Sequence, residues 1–151
     1  MTRVKSCSNS YYQGLVQDLY SGKDGEFVCF MQMFYQAIFC KFSRRGVDLF
    51  ERLAKKELKI CEILSCLLQK LGCDCQYCSS AKRFVSGKDV AFVKDFKKML
   101  MLDIELFETA IVNIKNSISK IEDCEIRANL KKILAIKKES LNILKEEYIR
   151  I

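Results

Sequence analysis

Glu57 and Lys137 interrupt stripes that are otherwise apolar. Glu57 stands inside the seam Phe50, Leu53, Ile60, Leu64, Leu67, Leu71, and Lys137 stands in the middle of Ile126, Leu130, Ile133, Ser140, Leu144, Tyr148. Glu26 opens an aromatic-rich segment and shares a helical face with Phe30, Met33, Ala37 and Cys40. A charge taken out of water is costly unless a partner meets it, so residues of this kind on core faces call for each other. If the helices that carry them face one another near mid-length, Glu26, Glu57 and Lys137 form a buried carboxylate and ammonium cluster. The competing reading lets the long side chains at the seam edges reach out to solvent.

The nine cysteines offer a second chemistry. Cys73, Cys75 and Cys78 are spaced closely enough for a disulfide or for three zinc ligands, with Cys7 or Asp74 as the fourth donor that zinc requires. Reactive loop thiols without a selected role are the competing reading. Cys29 follows Glu26 by three residues and Cys61 follows Glu57 by four, so each can share a helix face with its carboxylate, a mixed donor set that suits zinc better than a pair of irons. Small core residues explain the same two cysteines. The chain has no histidine, which removes histidine acid–base catalysis, histidine proton shuttling and histidine metal ligation.

The rest of the composition narrows the class. There is no proline, only six glycines, and half of the 151 residues are apolar, which favours long helices in one domain with a continuous core. An odd cysteine count without an export signal indicates reduced thiols and a cytoplasmic protein. A formal charge of +7 is interleaved along the chain rather than gathered in an arm, and no nucleic-acid recognition module is visible, so specific nucleic-acid binding is not expected. No apolar run is long enough to span a bilayer, and no membrane role is expected.

Periodicity places these residues on elements. The fold expected is an all-α, antiparallel four-helix bundle over residues 25–151, preceded by an arm over 1–24 that holds a short amphipathic helix with Leu15, Val16, Leu19 and Tyr20. Gly22-Lys23-Asp24-Gly25 separates the arm from the bundle. The bundle helices are expected at about 25–42, 46–71, 88–121 and 123–150, with Ser43-Arg44-Arg45-Gly46 as the first turn, a helix stop at Gly72 and a crossover loop over 72–87. The third helix carries Phe96, Leu100, Asp103, Phe107, Ala110, Ile114 and Ile121 along one face. Phe27, Phe30, Phe34, Phe39 and Phe42 make the first bundle helix rich in aromatics, which suits core packing, an apolar pocket or a surface between protomers.

Over about residues 12–148 this pattern resembles the ferritin-like superfamily, in particular the small bacterial proteins near rubrerythrins and manganese catalases. That family aims a Glu, a Glu-x-x-His, a Glu and a second Glu-x-x-His from four helices at two metal ions. Gly22-Lys23-Asp24-Gly25-Glu26 resembles the start of its first ligand helix. Leu53-Ala54-Lys55-Lys56-Glu57-Leu58-Lys59-Ile60 resembles its second, followed by Leu71-Gly72-Cys73-Asp74 where the family often has Leu-Gly-Gly-Asp. The resemblance places Glu26 and Glu57 at ligand positions, Ile60 at a histidine position, Phe107 at the third Glu, and Lys137 and Ser140 at the last Glu and histidine. Four of the six ligand positions have therefore changed.

On that resemblance, ferroxidase, peroxidase or catalase activity is not expected, no cofactor is expected, and Lys137 would supply the positive charge that metals supply in the family. The chain would then be a binding or structural protein acting through its surface, as a homodimer or with another protein. The alternative is a metal-binding or redox protein that holds iron, manganese or zinc in a non-standard site of Glu26, Glu57 and thiolates.

Overall fold

The computed structural model describes residues 6–43 and 46–151. Within them the chain forms five α-helices: α1 (Ser6–Ser21), α2 (Glu26–Ser43), α3 (Val47–Lys70), α4 (Phe96–Lys120) and α5 (Cys124–Arg150). The expected turn residues Arg44 and Arg45, the first five residues and the Cys7 side chain lie outside the described part.

Short polar connections punctuate the helices where the sequence lacks apolar periodicity. Between α1 and α2 the chain doubles back so closely that a Cβ on Gly22 would sit 2.5 Å from the Asp18 carbonyl oxygen, so only glycine fits. At the end of α3, Gly72 adopts φ 80°, and the Cys73 amide donates back to the Leu68 carbonyl at 2.9 Å. This left-handed residue closes the helix as glycine commonly does. Asp123 caps α5 by accepting from the Ile126 amide at 2.9 Å.

Two apolar cores sit one above the other. One joins Met33 and Cys40 of α2, Phe50 and Leu53 of α3, Met99, Leu100 and Phe107 of α4, and Leu141 and Leu144 of α5. The other joins Tyr12, Val16 and Leu19 of α1, Ile60, Leu64, Leu67 and Leu68 of α3, Ile114 and Ile121 of α4, and Ile126, Leu130 and Ile133 of α5. The first helix, expected as part of a separate arm, is thus a working wall of the second core. Its Tyr12, Val16, Leu19 and Tyr20 recur every three or four residues and are buried.

The third bundle helix was expected from Lys88, and α4 begins only at Phe96. Three local features compete with helix before that point. Ser86 and Asp89 cap each other's backbone and close a single 3-10 turn over Gly87–Asp89. The Gln32 amide then takes both backbone groups of Ala91, donating to its carbonyl at 2.9 Å and accepting from its N–H at 2.8 Å. Asp95 caps the true start by accepting from the Lys98 amide at 2.9 Å. The crossover therefore runs over 71–95, longer than the expected 72–87.

This crossover is held in place by α1. Gln17 Nε2 donates to the Gln76 and Cys78 carbonyls, each at 2.8 Å, Ser21 Oγ donates to the Cys78 carbonyl at 2.6 Å, and Asp18 accepts from the Ser80 amide at 2.7 Å and hydroxyl at 2.8 Å. Cys78 and Phe84 pair across a tight antiparallel bridge.

Candidate functional site

Between the two cores lies a polar layer. Glu26 is the first residue of α2, Glu57 sits at mid-length of α3, Lys137 at mid-length of α5, and Phe107 faces them from α4. Each occupies an apolar stripe that packing forces inward, and Glu26, Glu57 and Lys137 are all essentially inaccessible to solvent. The Lys137 ammonium donates to Glu26 Oε2 at 2.7 Å and to Glu57 Oε1 at 2.6 Å. Its Nζ also lies 3.7 Å from the centre of the Phe107 ring, whose negative face offers the cation a third stabilising contact. The solvent-reaching alternative for Lys137 and Glu57 is not what forms.

Cys29 joins this group. Its Sγ and one oxygen from each of Glu26 and Glu57 lie within 4.8 Å of one another. Burial pushes the Cys29 thiol well above its usual range, against the pull of Lys137, so it stays protonated. Burial likewise drives Glu57 well up, with Lys137 opposing and Glu26 adding to the rise. Lys137 moves the other way from what burial alone dictates: desolvation lowers it, but the surrounding Cys29, Glu26 and Glu57 outweigh that and hold it well above the usual lysine value. Burial thus favours a proton on Glu57, while the acidic groups around Lys137 keep its ammonium charged.

A second buried acid flanks the first group. Asp103 of α4 accepts from Gln36 Nε2 at 2.8 Å, yet burial pushes its carboxyl up to about 8 despite that hydrogen bond. Among the described residues, Gln36 Oε1, Asp103 Oδ2, Glu57 Oε2 and Ser140 Oγ are buried without a hydrogen-bond partner. A proton on Asp103 turns one of these acceptors into a donor. Asp103 stands on the expected stripe of α4 beside Phe107, an interruption of the same kind as Glu57, and Gln36 lies on the face of α2 that bears Met33 and Cys40. The rule that singled out Glu57 and Lys137 applies to Asp103.

The crossover cysteines are arranged differently. Cys78 is buried and its Sγ donates to Gln76 Oε1 at 3.6 Å, while Cys75 Sγ donates to the Ser65 carbonyl at 3.3 Å. Cys73, Cys75 and Cys78 carry free thiols and do not converge on a common metal position among the described residues, and the Cys7 side chain expected as a fourth donor lies outside them. Cys61 packs in the second core, and burial followed by the nearby Glu57 raises its thiol far above the usual range.

The donor set at Glu26, Cys29 and Glu57 does not fit a two-metal centre. An ammonium stands where a cation would have to lie, within hydrogen-bond distance of both carboxylates, and no imidazole completes the shell. No family model, no curated protein and no solved structure matches this chain. Among the described residues, no helix is long and apolar enough to cross a membrane.

Proposed function

We propose that this chain is a ferritin-like bundle in which an internal ammonium has taken over the position of the di-metal centre, leaving a binding or structural protein without ferroxidase, peroxidase or catalase activity. The observation that carries the reading is the pair of hydrogen bonds from Lys137 to Glu26 and Glu57 at 2.7 and 2.6 Å. The sharing of helix halves between the two cores supports the antiparallel ferritin-like arrangement. Residues of α2 from Cys29 to Cys40 meet the starts of α3 and α4 and the end of α5 in one core, and the end of α3 meets the end of α4 and the start of α5 in the other. The crossover then returns the chain the length of the bundle between α3 and α4. Free thiols at Cys29, Cys61, Cys66 and Cys124 support a reducing compartment such as the cytoplasm.

The test is elemental analysis of protein purified without affinity tag or chelator. Wild type is expected to carry well under one equivalent of iron, manganese or zinc, and Lys137→Glu is expected to raise the metal content by presenting a third carboxylate in place of the ammonium. Stoichiometric metal in the wild type overturns the reading. A second reading, a single zinc held by Glu26, Cys29 and Glu57, is favoured by the convergence of their three donor atoms. It requires stoichiometric zinc that is lost in Cys29→Ser.

A further inference from the structure

Beside the second core, α1, α4 and the crossover enclose a cleft of about 420 Å³, a volume within the range of about 300–1,000 Å³ usual for small-molecule sites. Two helix faces make its walls. Leu15, Leu19 and Gly22 follow one another at four- and three-residue spacing along α1 and the turn after it. Asn113, Asn116, Ser117 and Lys120 keep the same spacing along α4. Arg83 borders the cleft from the crossover, and Lys23 from the turn between α1 and α2.

The fold does not use the polar side chains gathered here. Among the described residues, the side chains of Lys23, Asn113, Asn116, Ser117 and Lys120 have no hydrogen-bond or ion-pair partner. Ser117 is only 7% exposed, yet it lines the cleft with a hydroxyl that bonds to no described protein group. Buried polar groups are ordinarily bonded, so a hydroxyl left over in this position calls for a ligand. Arg83 engages Asp89 through one terminal nitrogen, and its fork carries further donors. Asp18, the acid of the cleft, is already engaged: its oxygens accept from the Ser80 amide at 2.7 Å and from the Ser80 hydroxyl at 2.8 Å.

We infer that this cleft binds the phosphate group of a small phosphorylated molecule, with Lys23, Arg83 and Lys120 facing the charge and Ser117 hydrogen-bonding a phosphate oxygen. Three cations against one engaged carboxylate set the sign of the ligand. A phosphate monoester carries close to two negative charges and three acceptor oxygens, which answers several cations and neutral donors at once, where a carboxylate would leave some of them unmet. The Asn113 and Asn116 amides supply the remaining donors, and Leu15 and Leu19 offer an apolar wall to the organic part of the ester. The cleft shares no residue with the central layer, so this inference and the Lys137 reading stand or fall separately.

Heteronuclear NMR spectra of the full chain test the assignment, with AMP and phenyl phosphate titrated at constant ionic strength and pH beside their uncharged parents adenosine and phenol. Saturable shifts are expected at Gly22, Lys23, Asn113, Asn116 and Ser117 with both esters and with neither parent. Lys23→Glu combined with Lys120→Glu should abolish saturation. Ser117→Ala should weaken binding by roughly tenfold, the loss of one charge-assisted hydrogen bond. Lys131→Glu makes the same charge change at an exposed position of α5 and should leave binding unaltered. The lysine positions are exposed and Ser117→Ala removes a single oxygen, so the helical circular dichroism should be unchanged in every variant. The absence of saturable shifts with both esters overturns the assignment, including in a chain that takes up single-stranded RNA or phosphatidic acid vesicles. Shifts that sulfate reproduces, with no gain in affinity from either ester, mean an adventitious ion only and overturn it as well. So does a loss in Lys131→Glu as large as that in the double variant.

Discussion

The crossover and the central layer both bury polar side chains, but they satisfy them by opposite means. Around the crossover the buried groups are neutral, Gln17, Ser21 and Gln32, and each finds backbone carbonyls or amides at ordinary distances. In the central layer Glu26, Glu57, Asp103 and Lys137 are buried and find side chains rather than the backbone, Lys137 for the two glutamates and Gln36 for Asp103, and among the described residues oxygen atoms of Glu57 and Asp103 are left over. Neutral amides build a fixed shape whatever the pH. Ionisable groups in the same burial build a state that depends on where the protons are.

The largest break in that contrast should come from Lys137→Met. Removing the ammonium leaves two buried carboxyls without a counter-charge, and a loss of about 3–5 kcal/mol in urea unfolding at pH 7 is expected. The loss should shrink as pH falls and Glu57 holds its proton. Combining Lys137→Met with Glu26→Gln and Glu57→Gln should recover most of the stability, because no charge then remains buried. A triple variant no better than the single one would mean that the cluster holds the fold by more than charge.

Asp103 sharpens the comparison next. Its folded-state carboxyl lies at about 8 against an ordinary 3.8, so between those values the folded chain keeps a proton that the unfolded chain releases. Stability from this group is therefore fully present below about pH 4, falls as pH rises, and levels off above about pH 8; Glu57, also raised, adds to the decline above its ordinary value of 4.5. Asp103→Asn removes the Asp103 share. Urea midpoints measured from pH 5 to 8 should flatten, with a gain at pH 8 on the order of 3 kcal/mol.

On the crossover side, Gln32→Leu leaves the Ala91 N–H and carbonyl unpaired, and about 2 kcal/mol is expected at every pH between 5 and 8. Faster hydrogen exchange confined to residues 90–95 is the accompanying signature. The smallest effect belongs to Asp18→Ala, which removes two solvent-facing hydrogen bonds to Ser80 and should cost about 0.5 kcal/mol. A pH-dependent Gln32→Leu, or a pH-independent Asp103→Asn, would erase the distinction between the two regions.

Much of the fold was legible because the apolar spacing on α3, α4 and α5 is regular enough to mark their inward faces. The meeting of Glu26, Glu57 and Lys137 was legible for the same reason: charges on such faces must find each other. What stayed hidden depended on local chemistry between elements. The late start of α4 turns on Gln32, almost sixty residues away, gripping Ala91, and no window of sequence around Lys88 contains that information. The inward role of α1 was obscured because its polar residues, Gln17, Asp18 and Ser21, read as solvent-facing until the crossover is there to receive them. Asp103 was readable in principle. Asp103 interrupts its seam as Glu57 does, but its partner is an amide, which no charge-pairing rule would seek.

The contact of Tyr12 with the turn between α4 and α5 has a consequence for how the molecule assembles. The Tyr12 hydroxyl accepts from the Glu122 amide at 3.0 Å, spanning 110 residues, while Gln17 and Ser21 wait on the crossover some sixty residues downstream. During synthesis α1 emerges before the other four helices and is among the last of them to find all its partners. Contacts of such sequence separation slow a search that helical bundles otherwise complete quickly. Until the α4–α5 turn has formed, the apolar side of the first helix has nothing native to cover it.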